Sequence, residues 1–267
     1  MNDSISSLVP ARRLDLRDFT PARVSLPAAG HSIATSEVLN FQLAHAQARD
    51  AVHAVLRLPS FAQRLNTELP LLAEGSIAVL QLQSNAADRT VYLRQPALGR
   101  TLHPDSVVQL QPASSSDLAI IIADGLSALA VERHAIPLLA HLLPQLLDAG
   151  WTIAPIGLVQ QGRVAIGDPI GFYLGASLSL VLLGERPGLS SPDSLGAYLT
   201  WHPRPDRRDA DRNCLSNIRD GGLSPEFAAG RLFWYLQAAR ARQITGTSLK
   251  EGSIELEATP PSAEDAP

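Results

Sequence analysis

Residues Asp117–Val159 read DLAIIIADGLSALAVERHAIPLLAHLLPQLLDAGWTIAPIGLV, and their order decides the fold. Leu118–Ala123 is an unbroken apolar run without alternation. That is the pattern of a strand buried on both faces, as in a parallel sheet. Asp124-Gly125 ends the run, and Ser127 stands where a cap for the following long helix belongs. Pro137 and Pro144 inside that helix predict a kink or a break. WTIAPIGLV then returns as a second strand. Strand, helix and strand in this order predict a right-handed parallel crossover.

On the C-terminal side, QQGRVAIGD (160–168) reads as hairpin-like, and Pro169 opens a short helix through Gly175. SLSLVLLGE (177–185) is the next buried strand, and it ends on Gly184-Glu185-Arg186-Pro187-Gly188. Residues 202–222 form a loop rich in arginine and aspartate. Ser224-Pro225 supplies a cap and a first-turn proline for a helix to about Thr245. From Lys250 onward the chain is acidic and proline-rich, which predicts a disordered tail.

On the N-terminal side, residues 1–30 carry charges and prolines and read as an extended arm. Thr35 or Ser36 can cap a helix to about Leu58. Leu39, Leu43, Ala46, Val52 and Val55 give it an apolar face, while Gln42, His45, Arg49 and His53 give it a polar stripe. That stripe is either a solvated face or a surface for a partner chain. A second short helix fits Ser60–Leu72, and Ser76–Leu102 reads as a strand, a polar loop and a shorter strand. Arg89, Arg94 and Arg100 punctuate this last stretch; they could hold carboxylates or amide groups, but surface or intersubunit packing is the first expectation.

Composition removes several chemistries. Lys250 is the only lysine, which argues against a Schiff-base or P-loop lysine. Cys214 is the only cysteine, so an intrachain disulfide, a thiolate zinc site and an iron–sulfur cluster are excluded. A net charge of −4 does not favour nucleic acid or an anionic membrane as partner. The first residues lack an apolar core for a signal peptide, and the run Ile170–Gly184 is too short and glycine-interrupted to span a bilayer. The expectation is a soluble cytoplasmic protein whose 45% apolar residues fill a sizeable core.

In an open α/β sheet, ligands sit beyond the carboxyl ends of the strands. Three groups fall at such ends: Asp124–Ser127, Arg163-Val164 and Gly184–Gly188. ADGLSALA lacks the glycine order of a dinucleotide site, and Ser127 is not in a G-x-S-x-G elbow. Asp124 reads as a cap or turn residue, and Cys214 as a small, partly buried thiol rather than a nucleophile. The residues alone give an α/β protein with a polar rim and no self-contained catalytic or metal-binding set.

Seven segments in order are DLRDFTPARVSL, FQLAHAQARDAVH, SNAADRTVYLRQPALGR, IIADGLSALAVERHA, IGDPIG, LLGERPGL and ADRNCLSNIRDGG. Together they resemble the small (light) subunit of ethanolamine ammonia-lyase, from about Asp15 to Gly246. The resemblance implies a Rossmann-like parallel sheet flanked by helices, with an N-terminal helical arm. It implies an arm and helices over 1–75 that contact the large (heavy) subunit, a cobalamin-binding unit over 76–248, and an acidic tail over 249–267. The implied activity is the adenosylcobalamin (coenzyme B12)-dependent conversion of ethanolamine and related vicinal amino alcohols to acetaldehyde, or the matching oxo compound, and ammonia. The substrate would lie on the large subunit in a higher hetero-oligomer, and the small chain would not be catalytic alone. The match carries the family's cobalamin contacts onto Val164, Glu185 and Cys214, with Arg163 as a neighbour for an amide carbonyl or phosphate. Family members are associated with bacterial microcompartments, although MNDSISSLVPARRLD does not look like an amphipathic targeting extension. Two other readings remain: an assembly subunit with little cofactor contact, and an independent α/β nucleotide-binding enzyme.

Overall fold

The run Leu118–Ala123 is completely buried, and its alternate residues face two different cores. The computed structural model describes residues 15–20, 22–73, 77–110 and 115–250. Most of the predicted tail and the first residues of the arm lie outside these. In chain order the strands are β1 (Ala28–Ala29), β2 (Ser32–Ile33), β3 (Val79–Gln83), β4 (Ser116–Ala123), β5 (Ile156–Gln160), β6 (Ala176–Gly184), β7 (Leu195–Trp201) and β8 (Arg212–Ile218). The helices are α1 (Thr35–His53), α2 (Leu58–Glu68), α3 (Pro70–Ala73), α4 (Arg89–Arg94), α5 (Pro104–Gln109), α6 (Ala128–Asp148), α7 (Gly167–Tyr173) and α8 (Pro225–Arg242).

β1 and β2 form a small hairpin; the other six strands form one sheet in the order β3-β5-β4-β6-β7-β8. The first four are mutually parallel, as the apolar runs predict, and β7 and β8 add antiparallel at one edge. Leu118, Ile120 and Ile122 pack into the core beneath α6, α8 and α2. Ala119, Ile121 and Ala123 pack into the opposite core, with Ile166 and Ile170. Burying each such isoleucine contributes about 1.5–3 kcal/mol. The result is an α/β unit with helices on both faces.

From β4 the chain passes through α6 to β5 on one side, then through α7 to β6 on the other. The winding therefore reverses at β4, and the carboxyl ends of β5, β4 and β6 open around a crevice there.

Several local expectations change. α6 runs unbroken from Ala128 to Asp148 with both prolines inside it; packing of its buried face outweighs two missing hydrogen bonds. TVYL is β-prone by composition, yet α4 is helical because the Asp88 side chain accepts from the Val91 N–H and starts a turn. The segment 160–168 is no hairpin: Gln161 is left-handed (φ 55°), and a short 3-10 turn leads straight into α7. The charged loop 202–222 contains a strand, β8, whose exposed edge tolerates polar residues. Only Ala44 and Ala51 of α1 are buried. The apolar face assigned to that helix is not packed: Leu39 is 59% and Leu43 60% exposed.

Candidate functional site

The crevice at the switch point is a cleft of about 510 Å3, and Arg163, Val164, Glu185 and Cys214 all line it. They come from three parts of the chain. Arg163 and Val164 follow β5, Glu185 follows β6, and Cys214 sits on β8. Leu126, Leu183 and Val164 supply apolar wall, while Arg100, Arg163, Arg186 and Arg212 outnumber Glu185 and Asp209 on the rim.

The floor is a backbone-to-backbone contact between the ends of β4 and β6. Leu126 N–H donates to the Gly184 carbonyl at 2.8 Å. Gly125 has φ +58°, and a Cβ there would sit 2.2 Å from the Gly184 oxygen. A Cβ on Gly184 would sit 2.0 Å from the Ser127 oxygen. Both positions require glycine for this approach. Ser127 then caps α6, accepting from Ala130 N at 3.3 Å, and donates to the Pro192 carbonyl at 2.8 Å. Arg133 reaches Asp193 at 2.7 Å, with buried His134 3.5 Å from the same carboxylate. Burial acts to raise Asp193, but Arg133 and His134 outweigh it and hold the carboxyl below its ordinary value. The loop after Glu185 is thereby fastened to the start of α6.

Glu185 is fixed through one oxygen. Its Oε2 accepts from Ser194 Oγ at 2.5 Å and from the Asn217 N–H at 3.2 Å. Asn217 makes that bond from a left-handed backbone (φ 61°). Tyr198 and Cys214 face each other across β7 and β8. Cys214 is exposed at the edge strand and not partly buried as the sequence suggests; partial desolvation beside the cleft still pushes its thiol up, a hydrogen bond with Tyr198 opposes this, and the nearby Glu185 adds to the rise. Cys214 is therefore a compact part of the wall and not an activated nucleophile. Burial likewise raises the Tyr198 phenol.

Arg163 lies over the Tyr92 ring at 4.2 Å, and Arg89 lies over the same ring at 4.9 Å. Tyr92 donates to the Gly162 carbonyl at 3.1 Å. Arg163 Nε is buried without a hydrogen-bond partner among the described residues. At the other end of the cleft, Arg212 makes a bidentate pair with Asp168 at 2.6 and 2.7 Å and also donates to Thr200 and the Arg207 carbonyl. Burial raises the Asp168 carboxyl, and Arg212 opposes it.

Sequence reasoning missed Tyr92, Arg100, Tyr198 and Arg212. Arg100 is legible as one of three spaced arginines, for which surface or intersubunit packing is the first expectation and holding a carboxylate or amide the second. Arg89 of the same set is half-buried and donates to the Val52 and Gly125 carbonyls. Among the described residues no three His, Cys, Asp or Glu side chains come together as metal ligands. No described helix is long and apolar enough to cross a membrane.

Comparison with known proteins gives one answer. The family model for the ethanolamine ammonia-lyase light chain matches residues 11–250. A protein of Pseudomonas syringae pv. tomato named ethanolamine ammonia-lyase small subunit is 47% identical over 257 residues, covering 94% of this chain and 87% of its own. Proteins with the same name from Pseudomonas aeruginosa and Azotobacter vinelandii are each 50% identical. They cover 89% and 88% of this chain, and 86% and 87% of their own. An α/β sheet with helices on both faces, the cleft at its switch point and these matches lead to one conclusion: the chain belongs to the ethanolamine ammonia-lyase light-chain family, the small subunits of a carbon–nitrogen lyase.

Proposed function

We propose that this chain is the cobalamin-clamping half of an adenosylcobalamin-dependent lyase that converts ethanolamine to acetaldehyde and ammonia, and that a large subunit supplies the substrate site. The observation that carries this reading is the convergence of Arg163, Val164, Glu185 and Cys214 on one cleft although they are separated by up to 51 positions in the chain.

The side chains present fit one side of a corrinoid. Such a molecule combines a flat apolar macrocycle with a rim of amides. Val164, Leu126 and Leu183 offer apolar contact without a competing charge. Glu185 accepts from amide N–H or ribose hydroxyl donors, a bond that contributes about 1.5–3 kcal/mol when charge-assisted. Arg163, which lines the cleft with its guanidinium over the Tyr92 ring, suits an amide carbonyl or phosphate oxygen. A corrinoid exceeds a cleft of about 510 Å3, so this chain covers part of it and a second chain covers the rest. When bound, adenosylcobalamin supplies the radical chemistry; this chain's residues hold the macrocycle and exclude water.

The partner surface is α1. Val38, Leu39, Phe41 and Leu43 are all exposed on it, beside the exposed Gln42, His45, Arg49 and His53. A helix that leaves apolar residues in water over its length is one prepared for another chain.

The test is co-expression with the large subunit, followed by measurement of bound corrinoid and of ethanolamine deamination. Activity and bound corrinoid in the complex, with neither in this chain alone, support the reading. A complex that deaminates with Glu185→Ala and with Arg163→Ala as well as the unaltered one does, at limiting cofactor, ends it.

A further inference from the structure

Asp124 stands behind the cleft, not in it, and its surroundings are unlike those of an ordinary turn residue. It is 1% exposed. Its Oδ1 accepts the Gly162 N–H at 3.3 Å, and the Gln161 and Gly125 N–H groups nearby also favour its charged form. The Gln161 and Gly162 N–H groups belong to the turn that leads directly to Arg163 and Val164, whereas Gly125 belongs to the turn after β4. Gln161 holds a left-handed backbone there, a conformation that costs a non-glycine residue energy and persists only where neighbours enforce it.

Arg89 is the cation whose charge acts on Asp124. Its Nε donates to the Val52 carbonyl at 2.7 Å, in the last turn of α1, and its Nη1 donates to the Gly125 carbonyl at 2.6 Å. Nη1 also lies 3.5 Å from Gln161 Oε1, and the guanidinium covers the Tyr92 ring. Tyr92 in turn carries Arg163 and holds the Gly162 carbonyl. Asp124 Oδ2 and Arg89 Nη2 are both buried without a hydrogen-bond partner among the described residues. Burying a carboxylate and leaving one oxygen unpaired is costly. Burial accordingly raises the Asp124 carboxyl to about 6.

We infer that Asp124, with Arg89 as its counter-ion, is a positioning residue: it fixes the Gln161–Gly162 turn so that Arg163 and Val164 meet the cofactor. This rests on the reading of the cleft as the corrinoid site. Neither side chain lines the cleft, so both act through the turn and through Tyr92. Because Arg89 also grips the end of α1, the helix proposed to dock the large subunit is fastened to the same turn.

The experiment uses the complex of this chain with its large subunit and cyanocobalamin as an unreactive probe. Asp124→Asn keeps the volume but removes the charge that acts on Arg89 and replaces one acceptor oxygen with an NH2 group, which weakens the hold on the turn. Its expected effect is a rise of about tenfold in the cyanocobalamin Kd. The KM for adenosylcobalamin rises in parallel, and kcat at saturation falls much less, the signature of lost ground-state positioning. Arg89→Lys keeps the charge but cannot bridge two carbonyls from one planar head, and it shifts Kd in the same direction by a smaller factor. Thermal unfolding of each complex shows whether the protein is intact, and if Asp124→Asn does not assemble, Arg89→Lys decides alone. If Kd stays unchanged in the assembled variants while Glu185→Ala weakens binding, the positioning role is overturned and the cleft reading stands. If Glu185→Ala is equally without effect, the cleft reading falls, and this inference with it.

Discussion

Asp168, in the first turn of α7, and Arg212, at the start of β8, form a buried bidentate ion pair with bonds of 2.6 and 2.7 Å between residues 44 positions apart. The pair ties the antiparallel edge to the parallel centre, and Arg212 also lines the cleft. Asp168→Asn leaves the buried guanidinium with only the exposed Asp209 carboxylate, 3.6 Å from its Nε, and is expected to cost about 3 kcal/mol in chemical unfolding. Replacing both residues together with apolar ones of similar volume is expected to cost much less.

Gly184→Ala tests the contact between the ends of β4 and β6. The new Cβ would lie 2.0 Å from one backbone oxygen and 2.6 Å from another, and backbone cannot swing aside as a side chain can. A loss of about 3 kcal/mol, at the upper end of the overpacking range, is expected from denaturant titration. Gly230→Ala, where a Cβ meets nothing within 4 Å, is the control and should be neutral or slightly stabilising.

The pH dependence of stability follows from Asp124. Its carboxyl rises from 3.8 to about 6 on folding, because burial penalises the charged form. The folded state therefore binds this proton more tightly. Its stabilising effect is complete below about pH 4 and is lost as pH rises through 6, a change of about 3 kcal/mol at most. Unfolding free energies of the unaltered chain and Asp124→Asn, compared from pH 4 to 7, should diverge in favour of the asparagine as pH rises. Parallel curves would show that Asp124 titrates normally.

Glu185→Ala is expected to weaken cyanocobalamin binding by the complex about tenfold or more, the loss of one charge-assisted bond. Ser194→Ala removes the hydroxyl that aims the carboxylate, and should weaken binding by a smaller factor while leaving assembly intact. Equilibrium absorbance titration measures both.

Docking of the large subunit is expected to slow hydrogen exchange along Thr35–His53 and to leave α8 largely unchanged. Leu39→Asp with Leu43→Asp should weaken assembly at least tenfold by sedimentation, since each buries a charge on an apolar contact. The folded chain alone should lose little stability, because both residues already face solvent.

Periodicity carried the centre of the fold. Leu118–Ala123 and the run ending at Gly184 are apolar on both faces, which only a covered parallel strand requires. Ser127 and Ser224 were legible as caps because capping is local, set within three residues. The edge was not legible. Arg212-Asn213-Cys214 looks like loop because an edge strand with one open face accepts polar residues, and α4 looks like strand because one aspartate cap outweighs the β-propensity of Thr-Val-Tyr.

Local apolar runs were enough to put Arg163-Val164 and Glu185 at strand ends, and so at the carboxyl edge of the sheet. The packing of distant segments was needed to bring Tyr92, Tyr198 and Arg212 beside them, to bury Asp124 within reach of the Arg89 charge, and to leave Val38, Leu39, Phe41 and Leu43 of α1 in water. Strand and helix periods are properties of neighbours a few residues apart. Burial and charge pairing depend on which distant segments the sheet order brings together, and no local pattern records that.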